Sequence, residues 1–82
     1  VNDHTSSAII INAANEILVD QFLKQNINFL DINKFILSTL RDRNFKKYAI
    51  REPKNINQIY EIDNWTRTLI LKKIEKKNDK NF

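Results

Sequence analysis

The run Asn12-Ala13-Ala14-Asn15-Glu16 sets three polar residues inside an apolar stretch, and Asp20 follows Glu16 by one helical turn. Two carboxylates at that spacing share a helix face and could hold a hard cation between them. A metal site needs a second ligand pair, and the sequence sets none at a matching spacing; carboxylate pairs of this kind are common on solvated helix faces. His4 is the only histidine, and it stands in Asp3-His4-Thr5-Ser6-Ser7. Sequence neighbours do not converge as a nucleophile, a base and an orienting carboxylate must, so this segment reads as an exposed terminal turn. Glycine is absent, which removes both glycine-rich phosphate loops. Lys72, Lys73, Lys76 and Lys77 form a basic run with Glu75 in its middle and Arg67 upstream. Such a run could meet phosphates, but no aromatic ladder or recognition motif accompanies it. Cations at a helix C-terminus are favoured by the helix dipole alone. The residues therefore offer no catalytic, cofactor-binding or metal-binding set.

The elements that carry these residues must come from a short chain. At 82 residues it is one small domain or a piece of a larger one. A domain of this size buries only roughly 60% of its unfolded surface. No disulfide or thiolate metal site supports it, because cysteine is absent. Methionine is absent too and the chain begins with Val1, so a processed product or the tail of a longer reading frame is expected. Without glycine, turns with positive φ should fall to Asn. The abundance of Asn, Lys and Ile fits drift in an A+T-rich genome. The net charge of +4 is a modest excess. No apolar run reaches the roughly 18–20 residues of a membrane span, and no basic segment precedes Ile9-Ile10-Ile11 as a signal peptide requires. A cytoplasmic setting is expected.

Periodicity predicts helices and no strand of useful length. After a polar lead-in over residues 1–6, Ser6 or Ser7 can cap a helix that runs to about Gln25. Ile10, Ala14, Ile17 and Gln21 form one line of it, and Ile11, Ala14, Leu18 and Phe22 its apolar neighbour. Asn12, Glu16 and Asp20, with Asn15 beside them, form a polar stripe opposite. Ala13 and Ala14 allow another helix to approach closely. Asn26 is the expected left-handed stop. Asp31 is expected to cap a second helix with Ile32, Phe35, Ile36, Thr39 and Leu40 on its core line. Residues 44–54 read as irregular, with Pro53 biasing Glu52 away from helix. Asn55 and Gln58 stand at a capping-box spacing and open the last helical region. Asp63 is expected to cap a further helix or to mark a kink. Trp65 falls in register with Leu69 and reads as packing. Residues 75–82 read as a frayed basic tail. The sum is an all-α fold, an incomplete bundle of three to four helices.

Isoleucine 11 to Ile32, "INAANEILVDQFLKQNINFLDI", resembles the carboxy-terminal domain of the 1-deoxy-D-xylulose 5-phosphate reductoisomerase family. The matching pieces are Asn12 to Glu16, Phe22-Leu23, Ile27-Asn28-Phe29 and Asp31-Ile32. Arg51-Glu52-Pro53 resembles some bacterial members. Asp63, Trp65 and Arg67 fit the family's closing pattern, while Thr66 stands where Ala is usual. The resemblance runs from about Ser7 to Ile74, and its weight lies in the order and spacing of the pieces. It implies that residues 1–82 are part of the carboxy-terminal helical domain of an enzyme. That enzyme converts 1-deoxy-D-xylulose 5-phosphate to 2-C-methyl-D-erythritol 4-phosphate in non-mevalonate isoprenoid biosynthesis, as a homodimer using NADPH and Mg or Mn. The implied partners are the NADPH and catalytic domains of the same polypeptide. No catalytic or cofactor residue carries over to this segment, which alone is expected to be inactive. Asn12, Asn15, Glu16, Asp31, Asp63, Trp65 and Arg67 are then structural.

In the family another amphipathic helix precedes this segment. An apolar groove lined by some of Ile10, Ile17, Ile36 and Ile70 is therefore expected to stand open, leaving the isolated chain weakly folded or self-associating. The alternative reading is a small basic helical module that binds RNA or a protein partner; it predicts salt-dependent nucleic-acid binding.

Overall fold

A computed structural model describes residues 5–49 and 52–79. Among them the chain forms four helices and no strand: α1 (Thr5–Leu23), α2 (Phe29–Leu40), α3 (Phe45–Ala49) and α4 (Ile56–Asp79). The all-α, incomplete-bundle expectation holds. His4, Ile50 and Arg51 lie outside the described residues.

Helix α1 is buried along Ser6, Ile10, Ala13, Ala14 and Leu18. This line faces α4, and the two alanines remove the side-chain bulk that would hold the helices apart. Ile10 packs with Ile62, and Ala14 and Leu18 with Ile70 and Ile74. Residue numbers rise together on both helices, so α1 and α4 run parallel. A second helix covers one end of this pair. Ile32, Phe35 and Ile36 of α2 close the cluster of Ala14, Leu18, Ile27, Ile70 and Ile74. Helix α3 covers the other end, where Phe45, Tyr48 and Ala49 join Ile10, Ile62 and Trp65. The expectation of an irregular stretch over 44–54 is corrected here. Phe45 and Tyr48 lie three residues apart, so a single helical turn points both rings at one cluster.

Helix ends depart from the sequence reading in three places. The left-handed residue after α1 is Gln25, with φ 64°, rather than Asn26. Asn26 N–H reaches Gln21 O and Gln25 N–H reaches Phe22 O, both at 2.9 Å, which is the paired closure of a Schellman stop. The Asn26 amide also donates to Gln21 Oε1 at 2.8 Å. At the other end of α1, Ser6 is no cap. It is a helical, fully buried residue one turn before Ile10 on the buried line, so the lead-in is shorter than 1–6. Helix α4 runs through Asp63 without ending and continues to Asp79. The tail expected to fray from residue 75 is helical that far because Ile74 is buried and Lys77 is tied to Asp31.

The start of α4 follows the expected chemistry. Gln58 N–H donates to Asn55 Oδ1 at 3.0 Å, and the Gln58 side chain accepts the N–H of Lys54 at 2.8 Å, one residue outside the cap. Thr66 is fully buried, and its hydroxyl donates to Ile62 O at 2.9 Å. The extra hydroxyl, set where the family resemblance has Ala, is thus satisfied by its own helix.

The open apolar side is not the one expected. Ile10 and Ile70 are fully buried and Ile17 is half-buried in the core. Only Ile36 of the expected four lines an open groove, which lies between α1 and α2. The small α3 helix and the alanine contact draw Ile10 and Ile70 inside, and exposure shifts to Leu23, Phe29 and Leu30.

Adjacent residues of α4 test this packing. Ile70→Ala should lower the unfolding free energy by about 2–5 kcal/mol, the range for truncating a fully buried aliphatic residue. Leu71→Ala, at a position 40% exposed, should cost less than half as much. Urea unfolding of both variants reads the contrast.

Candidate functional site

Parallel packing of α1 on α4 sets Glu16 opposite Arg67. The guanidinium Nη2 donates to Glu16 Oε1 at 2.7 Å. Its Nε lies 2.9 and 3.2 Å from the two oxygens of Asp63, one turn back on α4. One planar cation thus grips a carboxylate of its own helix and one of the neighbouring helix. Glu16 and then Asp63 raise the Arg67 pKa above its ordinary value, so the cation is permanent. Asn12, Glu16, Asp63 and Arg67 line one cavity of about 190 Å³ with Ile9 and Tyr60. Four of the seven residues singled out from the sequence therefore meet in one place. They carry two carboxylates, one guanidinium and an amide, with no nucleophile beside a base.

The carboxylate pair read as a possible cation site is divided. Glu16 holds Arg67, whereas Asp20 pairs with Lys24 at 3.0 Å. Among the described residues no three His, Cys, Asp or Glu side chains gather.

Asp31 sits at the far end of α4 and does not cap α2. Asn28 is the N-cap, and Asp31 is the third residue of the helix, where its side chain accepts the Asn28 N–H at 3.0 Å. The same carboxylate oxygen accepts from Lys77 Nζ. Asp31 is buried, and Lys77, the Asn28 N–H and Lys34 hold its pKa below the ordinary carboxylate range. Lys77 escapes sequence reasoning because it stands in what looks like a solvated basic tail. The signal for it is that Lys73 and Lys77 continue the four-residue register of α4 beside α2. Both line a cavity of about 470 Å³ with Asp31, Lys34 and Phe35.

The remaining residues lie apart. Trp65 stacks on Tyr48, with ring centroids 4.5 Å apart and planes at 18°, and it packs against the Ile10–Ala49–Ile62 cluster. Tyr48 was not singled out, since it lies in the segment read as irregular. Asn15 is exposed at the rim of the α1–α2 groove, away from the Arg67 cluster. Among the described residues neither Asn12 nor Asn15 makes a side-chain hydrogen bond.

The two ionic ties differ in exposure, and that sets what each should do. The Arg67 and Glu16 side chains are 36% and 66% exposed, so a double-mutant cycle of Glu16→Gln and Arg67→Gln should give a coupling below about 1 kcal/mol that shrinks with added salt. The Asp31 pKa is depressed on folding. Its contribution to stability is thus full above the ordinary aspartate value and is lost as pH falls through the lower folded value. Urea midpoints measured on the acid side of neutrality should fall less steeply in Asp31→Asn than in the parent, with the Asp31→Asn curve already lower at neutral pH.

Comparison with known proteins bears on what this arrangement serves. The family model described as the DXP reductoisomerase C-terminal domain matches residues 1–69. A 1-deoxy-D-xylulose 5-phosphate reductoisomerase of Prochlorococcus marinus (strain MIT 9515) is 40% identical over 67 residues, covering 82% of this chain and 16% of that protein. The protein of the same name from Wolbachia pipientis subsp. Culex pipiens is 41% identical over 66 residues, covering 80% of this chain and 16% of its own. That of Francisella tularensis subsp. novicida is 36% identical over 69 residues, covering 84% of this chain and 17% of its own. The chain thus spans about a sixth of the length of the curated relatives it matches. No solved structure matches it significantly. With the family model matched across most of its length, the chain belongs to the DXP reductoisomerase C-terminal domain family.

Proposed function

We propose that residues 1–82 are the carboxy-terminal helical part of a 1-deoxy-D-xylulose 5-phosphate reductoisomerase. The whole enzyme would rearrange and reduce 1-deoxy-D-xylulose 5-phosphate to 2-C-methyl-D-erythritol 4-phosphate with NADPH, as a cytoplasmic homodimer of the non-mevalonate isoprenoid pathway. The observation that carries this reading is the match of the family model to residues 1–69. NADPH and Mg or Mn would be held by the nucleotide and catalytic domains of the same polypeptide, which are the partners of this segment.

Within the enzyme this segment would be a scaffold. Asn12, Asn15, Glu16, Asp31, Asp63, Trp65 and Arg67 would fix helix orientation and present exposed amides to a neighbouring domain. Two features support that role. Arg67 joins α1 to α4 and Asp31 joins α2 to α4, so each long helix is tied at a defined register. The exposed Asn12 and Asn15 keep donors and acceptors available for backbone groups of another domain.

A chimera tests both parts. Residues 7–74 should replace the corresponding segment of the Prochlorococcus marinus relative with turnover of the same order as the parent. Asn15→Ala in that chimera should lower its melting temperature and leave KM and kcat close to the chimera's own. A folded chimera without turnover, or NADPH-dependent reduction of the sugar phosphate by the 82-residue chain alone, would overturn the proposal.

A further inference from the structure

The cavity of about 470 Å³ between α2 and the last two turns of α4 is lined by Lys34, Phe35 and Ser38 from α2 and by Lys73 and Lys77 from α4. Its volume falls in the range of small-molecule sites. Asp31 is the one carboxylate in the lining, and it is already engaged: a single oxygen accepts from Lys77 Nζ and from the Asn28 N–H. The ammonium groups of Lys34 and Lys73 and the hydroxyl of Ser38 make no hydrogen bond or ion pair among the described residues. An ammonium has three donors, so Lys77 keeps two beyond the one it gives to Asp31. Phe35 packs against the core cluster of Leu18, Ile27 and Ile70 and is half-buried, which fixes its ring as part of the cavity wall.

We propose that this cavity binds a small organic phosphate, a monoester whose oxygens meet Lys34, Lys73 and Lys77 and whose apolar group lies on Phe35. Charge selects the class. Three cations against one carboxylate leave two net positive charges in the lining. A phosphate monoester brings about 1.5 to 2 negative charges at neutral pH, whereas a single carboxylate brings one. Donors select it too. A phosphate monoester has three strong acceptor oxygens, and unused donors reach the cavity from two helices, with the Ser38 hydroxyl beside them. The placement of the lysines separates this cavity from an ordinary solvated helix end. Lys72 and Lys76 point away from it, while Lys73 and Lys77 share one face of α4 and meet Lys34 of another helix. Phe35 supplies the apolar half, because the wall beside the cations is an aromatic ring rather than a charged stem. Binding would leave the tie between Asp31 and Lys77 in place. The site belongs to α2 and α4 of this chain and does not rest on the enzyme assignment.

Titration of the 82-residue chain against phenyl phosphate at low salt, read by phosphorus NMR with helicity followed by circular dichroism, tests the site. Saturable binding is expected, with inorganic phosphate bound more weakly than phenyl phosphate. Lys34→Gln and Lys73→Gln should each weaken binding by about fivefold or more, the loss of one charge-assisted contact, without loss of helicity. Lys72→Gln removes the same charge one residue away from Lys73 and should leave binding close to the parent's. No saturable binding by the parent chain, folded or not, overturns the proposal. So does an equal effect of Lys72→Gln and Lys73→Gln, since a diffuse basic surface would then be at work. Inorganic phosphate bound as tightly as phenyl phosphate overturns the contact with Phe35 and the proposal with it. Hexaglutamate that displaces phenyl phosphate at lower concentration than phenyl phosphate itself binds would also overturn it, because the cavity would then take an acidic protein segment.

Discussion

The close parallel contact of α1 with α4 is the constraint on which the other elements depend. It exists because Ala13 and Ala14 present almost no side chain where the helices meet. Both hydrophobic clusters are built on this pair, with α2 and α3 acting as covers at opposite ends. Each fully buried aliphatic side chain along the pair contributes roughly 1.5–3 kcal/mol of apolar burial. A larger residue at either alanine would separate the helices and open both clusters together.

Against that burial the ionic ties are small in energy and large in geometry. Arg67 is too exposed for its pairs to dominate stability. A guanidinium that donates to a carboxylate on each of two helices nevertheless sets the rotation and axial offset of α4 against α1. Asp31 does the corresponding work at the other end. Its buried carboxylate takes one bond from the backbone at the start of α2 and another from Lys77 near the end of α4. Polar groups specify the arrangement that apolar contact stabilises.

How much of this was legible in the sequence follows from the range of each interaction. Helical periodicity and the Asn55–Gln58 cap are local, so α1, α2 and the start of α4 could be read directly. The polar stripe of Asn12 and Glu16 was legible as a stripe, but its partner was not, because Arg67 lies 51 residues from Glu16. A separation of 46 residues likewise hid the pairing of Asp31 with Lys77 and turned an anchored helix end into an apparent loose tail. Helix α3 was missed because five residues offer too little periodicity to outweigh a nearby proline. The open groove was misplaced for a related reason. Which side of an amphipathic helix stays uncovered depends on where its neighbours land, and a helix pattern alone does not carry that information.

The turn after α1 has a meaning of its own. A chain without a single glycine has placed glutamine in a backbone region that costs a residue with a β-carbon roughly 1 kcal/mol, at Gln25. In a chain without glycine, a left-handed corner must be filled by a residue that carries a β-carbon, and its cost stays in the fold. Here that cost sits in the turn joining α1 to α2, and Gln25→Gly would relieve it.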